Sequence, residues 1–177
     1  VSIIETDGIL EKFEDKINYG EKKIIDNSSI RYGILNYVAK YSLAKNSYFV
    51  TSKCYEHLNN LNLMKNGKLL RGSKGSKNKF TFEHPVPSNV IADEVIKNIG
   101  DKNKIKKILR ETDLVTVITY QENDMINKSG FANEMPENSF VKKNMFARYK
   151  MSGVEVPSKK IVVYGAIARW LLIYMRA

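Results

Sequence analysis

The chain has 177 residues, 43% hydrophobic and 10% aromatic, which is ample apolar material for one packed domain and not the composition of a disordered chain. Its 29 basic and 19 acidic residues leave a net charge of +10, which points to a polyanionic partner, nucleic acid ahead of a membrane surface; a bias toward Lys, Asn and Ile codons would produce the same excess. A single cysteine, Cys54, excludes an internal disulfide and a cysteine-built zinc site.

Val1-Ser2-Ile3-Ile4 is followed at once by Glu5 and Asp7, unlike a secretory leader. The most apolar run, Ile161 to Met175, is shorter than the roughly 20 residues of a membrane span and is broken by Arg169. The expectation is a cytoplasmic protein without a membrane partner. One domain covers residues 1–177: a mainly helical part over 1–62, a basic loop over 63–79, a central core over 80–130 and a C-terminal part over 131–177.

In chain order, Leu10, Phe13 and Ile17 give a weak helical pattern before Asn27 and Ser28, which are good N-cap residues. Ile30, Ile34, Leu35, Val38 and Tyr41 then follow the 3.6-residue period of a helix. Ser47 to Thr51 reads as a short strand, and Ser52 as the cap of a second helix that carries Cys54, His57 and Leu58. His57 has no catalytic neighbour on its helical face and reads as structural.

From 64 to 79 the character changes. Lys65, Lys68, Arg71, Lys74, Lys77 and Lys79 arrive with no acid among them and with Gly67, Gly72 and Gly75 between. Such Gly-Ser-Lys text resists regular structure and predicts a loop or loose hairpin, either a solvated connection or a clamp on a phosphate backbone. The glycine spacing is not that of a P-loop.

Lys79-Phe80-Thr81-Phe82-Glu83-His84-Pro85-Val86-Pro87 follows as an extended segment holding one of only two histidines. Ser88 can cap a helix with Val90, Ile91, Val95 and Ile99 inward, closed by Gly100; Asp101 then opens a short basic helix. Asp113 to Thr119 is the best strand in the sequence, β-branched almost throughout. Thr119 and Glu122 are spaced as a capping box for a helix that carries Asn123 and Asn127, four apart and so on one face. Residues 131–160 look irregular. Within them Phe146-Ala147-Arg148-Tyr149-Lys150 is a basic-aromatic island that either stacks a base and binds phosphate or simply packs its rings. Ile161 to Arg176 predicts a buried C-terminal helix.

Glu83-His84-Pro85-Val86-Pro87 resembles the Asp-His-Ile-x-Pro opening of HNH-type, ββα-metal nucleases. The strand and helix from Leu114 to Asn127 look like the second half of that motif. The resemblance implies Glu83 as a metal ligand, His84 as the general base, Asn123 in the central catalytic position and Asn127 as a further metal ligand. The implied cofactor is one divalent ion, Mg²⁺ by analogy, on the scissile phosphate of RNA or DNA. Lys65, Lys68, Arg71, Lys74, Lys77, Lys79 and Arg148 would hold the nucleic acid. Small basic nucleases of this kind suggest a place in phage–host conflict, including anti-CRISPR activity.

The expected fold is α+β: a small antiparallel sheet flanked by helices, with a ββα-like site and the buried C-terminal helix. The rival expectation is a non-catalytic basic inhibitor that occupies nucleic acid or a nucleoprotein effector. A third is a scaffold whose C-terminal helix binds protein.

Overall fold

The computed structural model describes residues 28–43, 46–70, 73–139 and 142–163. It is a mixed α+β fold with, among the described residues, seven helices and one six-stranded sheet. In chain order the elements are α1 (Ser28–Leu43), β1 (Ser47–Val50), α2 (Ser52–Asn60), β2 (Met64–Lys65), β3 (Lys68–Leu69), α3 (Gly75–Asn78), β4 (Phe80–Glu83), α4 (Ser88–Lys97), α5 (Lys102–Thr112), β5 (Thr116–Thr119), α6 (Tyr120–Lys128), α7 (Ala147–Met151) and β6 (Lys159–Val163).

The sheet runs β2-β3-β6-β1-β5-β4. β4 pairs antiparallel with β5, placing Glu83 opposite Thr116 and Phe80 opposite Thr119. The sheet is larger than expected and mixed, because β1 pairs parallel with β5 and β3 parallel with β6. The parallel β1–β5 pair is possible because the long excursion between them, from α2 to α5, returns the chain to the same end of the sheet.

Alternation along the strands sorts the core. Val50, Val117, Ile161 and Val163 pack on one face with Cys54 and Leu58 of α2. Ile118 faces the other way, into a cluster with Ile126 of α6, Tyr149 of α7 and Val154. A third cluster joins α1, α4 and α5 through Ile34, Val38, Ile91, Val95, Ile105 and Leu109, the first four being positions that the helical period had marked.

Ile161 to Val163 belong to β6, not to a helix; an antiparallel pairing with β1 claims them. The remainder of the expected C-terminal helix, like the helical pattern of residues 1–26, lies outside the described residues. The 64–79 stretch is more ordered than its composition suggests. Asn66 and Gly67 both have positive φ, the geometry of a type I′ turn, and they close the β2–β3 hairpin. Gly75 cannot be replaced cheaply, because a Cβ there would collide with the carbonyl of Phe80. No helix among the described residues is long and apolar enough to cross a membrane.

Two strand ends are tied by one carboxylate. Thr51, not Ser52, caps α2: its backbone is extended and its hydroxyl accepts from the Cys54 amide at 3.2 Å. Thr119 and Glu122 form the expected capping box at the start of α6. Glu122 Oε2 accepts from the Thr119 amide at 2.8 Å, from the Thr119 hydroxyl at 2.9 Å and from the Thr51 hydroxyl at 3.0 Å. Adjacent parallel strands thus feed two helices whose first turns share a buried acid.

Candidate functional site

β4 sends Thr81 and Glu83 to one face of the sheet and Phe80 to the other, by the two-residue period of a strand. Glu83 ends the strand and meets α7. Its Oε1 is ion-paired with the Arg148 guanidinium, and its Oε2 accepts from the Tyr149 hydroxyl at 2.5 Å. Arg148, expected as a surface cation for phosphate, is 1% exposed. Its guanidinium donates to the carbonyls of Pro85 at 2.9 Å, Phe131 at 2.6 Å and His84 at 2.5 Å. A planar fork with five N–H groups satisfies these carbonyls and one acid at once, which a lysine could not. Burial draws the guanidinium down to about 10, so it stays charged at neutral pH. Burial also raises Tyr149 well above its ordinary value of 10.0, which keeps its proton on the Glu83 hydrogen bond.

His84 leaves the chain beside Glu83 but turns toward α1, against the backbone of Ala39. Burial lowers its pKa below the ordinary 6.5, with the Ala39 hydrogen bond opposing, so the ring is neutral at pH 7. Its Nε2 is buried without a hydrogen-bond partner. Glu83, His84, Asn123 and Arg148 nonetheless line one cleft of about 310 Å³, with Thr81, Asn89 and Asn133 on its polar wall. Asn127, exposed in the last turn of α6, is not part of that lining. The structure therefore brings together three of the four residues that the HNH resemblance assigned.

A divalent ion does not fit this donor set. Both oxygens of Glu83 are already engaged, one by a guanidinium that occupies the position of a cation. Among the described residues no three His, Cys, Asp or Glu side chains converge. The strand–strand–helix order of β4, β5 and α6 is present, with α4 and α5 inserted between the strands.

The other sequence-marked cations divide. Lys65, Lys68, Lys74, Lys77 and Lys79 are exposed, and Arg71 lies outside the described residues. Register puts Lys65, Lys68 and Lys160 on one face of the sheet, at the β2–β3–β6 edge. Lys160 sits 4.7 Å from the centre of the Phe49 ring beside it. Lys74, Lys77 and Lys79 surround α3 at the start of β4. α3 is held there by His57, whose ring N–H donates to the Asn78 carbonyl at 2.7 Å. The second histidine is thus structural.

Sequence reasoning missed Tyr149 and Thr51. The first lay in an island with two open readings; the second could be found only from the three-residue spacing to Cys54. No family model matches the chain, and no curated protein or solved structure shows a significant match. The HNH resemblance rests on its short motifs alone.

Proposed function

We propose that this protein binds the phosphate backbone of a nucleic acid through exposed lysines and acts by occupying its target. One observation carries the reading: Lys65, Lys74, Lys77 and Lys79 are exposed and none has a carboxylate partner among the described residues. Four surface cations elsewhere are answered. Arg31 pairs with Asp93, Lys97 with Glu94, Lys104 with Asp101 and Lys143 with Glu111. Lysines left without counter-charge on a protein of net charge +10 displace counterions from the phosphates they meet, and binding of that kind weakens steeply with salt.

The test is equilibrium binding of labelled RNA and DNA across a salt series. The expected result is a linear log–log fall in affinity. The triple variant Lys74→Ala/Lys77→Ala/Lys79→Ala should flatten that slope by about 0.9 for each duplex phosphate no longer neutralised, or about 0.7 for a single strand. Affinity for nucleic acid that is absent, or indifferent to salt, overturns the proposal.

Phosphodiester hydrolysis with His84 as general base is a second reading, favoured by the neutral imidazole and the cleft it shares with Glu83 and Asn123. It requires phosphodiester cleavage that His84→Ala abolishes while salt-sensitive binding survives. Cleavage that persists without His84 rules it out.

A further inference from the structure

The cleft at the end of β4 differs in chemistry from the lysine surface that precedes it. Its volume of about 310 Å³ lies at the small end of ligand sites, which run from roughly 300 to 1,000 Å³. The charged groups on its wall, Glu83 and Arg148, neutralise each other, and the guanidinium protons are spent on carbonyls. An ionic ligand would therefore find no counter-charge there. What remains is neutral: the Asn123 amide, the Thr81 hydroxyl and the amide–carbonyl pair of Asn89 and Asn133, beside the apolar walls of Leu35 and Pro87. Neutral donors and acceptors around a small, partly apolar space suit a flat, uncharged, hydrogen-bonding group.

We infer that this cleft receives an unpaired nucleobase of a strand whose phosphates lie on Lys74, Lys77 and Lys79; the inference rests on the backbone-binding reading above. Lys79 immediately precedes β4, and two residues of strand, about 7 Å, separate it from Thr81 on the cleft wall. A base and its neighbouring phosphate can bridge that span. Beside Lys79, Tyr120 is 37% exposed, with the Lys79 ammonium 5.7 Å from its ring centre, so cation and aromatic surface adjoin at the lysine end of that span. A duplex keeps its bases stacked and cannot place one in such a space without extrusion, whereas a single strand offers them freely. An asparagine amide can pair two atoms of a base edge, which makes Asn123 the reading residue.

The experiment compares three probes of one length: a single-stranded oligonucleotide, the same strand without bases, and the duplex. Each is titrated against the wild-type chain, Asn123→Leu and Thr81→Val, with circular dichroism confirming the fold of both variants. Leucine keeps the branched shape of asparagine and removes its hydrogen bonds. Wild type should bind the base-bearing strand roughly tenfold more tightly than the abasic one, and Asn123→Leu should bring that ratio close to one. Two outcomes overturn the cleft as a base site: equal wild-type affinity for the two strands, or a ratio that both variants leave intact. In either case salt-dependent binding of the abasic strand still supports backbone binding. If no probe binds with salt dependence, both readings fall together.

Discussion

Where Arg148 of α7 meets Glu83 of β4, the charged side chains lie inside the protein and the protein answers them. Arg148 meets an acid and four backbone carbonyls, and Glu83 meets a guanidinium and a phenol. Around α3 and the β2–β3 turn the lysines lie outside, and no acid among the described residues answers Lys65, Lys74, Lys77 or Lys79. The difference separates two uses of charge. A buried ion must be satisfied by the fold or the fold does not form, so its partners are all internal. An exposed cation contributes little to folding wherever it stands, so a surface of them without counter-charge makes physical sense as a surface for a partner.

The strongest way to break this comparison is to remove Arg148. Arg148→Ala strands Glu83, whose side chain is 12% exposed, and leaves the carbonyls of His84, Pro85 and Phe131 without donors. A drop of about 3–5 kcal/mol in urea unfolding is expected, that being the usual cost of breaking a buried pair from one side. Replacing both members, as Arg148→Met with Glu83→Leu, should cost less than the single change. A single variant with wild-type stability would show that Arg148 is not the internal clamp described.

Glu122→Ala comes next, at about 2–3 kcal/mol, because one carboxylate serves three donors at the starts of two helices. The same unfolding titration measures it, and Glu122→Gln should recover part of the stability by keeping an acceptor. This acid was half legible in the sequence. Its spacing from Thr119 announced the capping box, since both residues lie within one turn of helix. Its bond to Thr51 joins positions 71 apart and depends on β1 lying parallel to β5, which no local pattern reports. The same limit hid Arg148, whose carbonyl partners are 16, 17, 63 and 64 residues away. It hid β6 as well: Lys159 to Val163 shows no polar–apolar alternation, and pairing with β1 and β3, not periodicity, makes it a strand. Elements written in short-range chemistry were legible: α1, α4, α5, β5 and the cap of α6. Of the site, the joint presence of Glu83, His84 and Asn123 at one cleft matches the motif order, while the commitment of Glu83 to the fold does not show in a motif.

His84 gives a smaller and pH-dependent effect. The fold holds its ring neutral, so the unfolded chain takes up a proton first, at the ordinary value near 6.5. Stability is therefore complete above that pH, falls as pH drops through 6.5 toward the lowered folded value, and levels below it. The slope cannot exceed about 1.4 kcal/mol per pH unit for one proton. Unfolding titrations of wild type and His84→Gln across this range should differ by that slope. Parallel curves would mean that the folded and unfolded rings titrate alike.

The smallest effect on stability is expected where the largest effect on binding lies. Substituting Lys74, Lys77 and Lys79 together by alanine removes no ion pair and no side-chain hydrogen bond, so each change should stay within about 0.5 kcal/mol in unfolding. Removing three like charges from one short segment can even relieve repulsion. The informative quantity is the contrast between the two measurements on one protein: an unfolding midpoint close to wild type beside a reduced salt slope for nucleic acid. If the triple variant unfolds early, these lysines belong with Arg148 among the charges that the fold itself requires, and the distinction between the two regions fails. If it keeps its stability and its full affinity, the phosphates lie elsewhere, with the Lys65, Lys68 and Lys160 face of the sheet as the next place to remove charge.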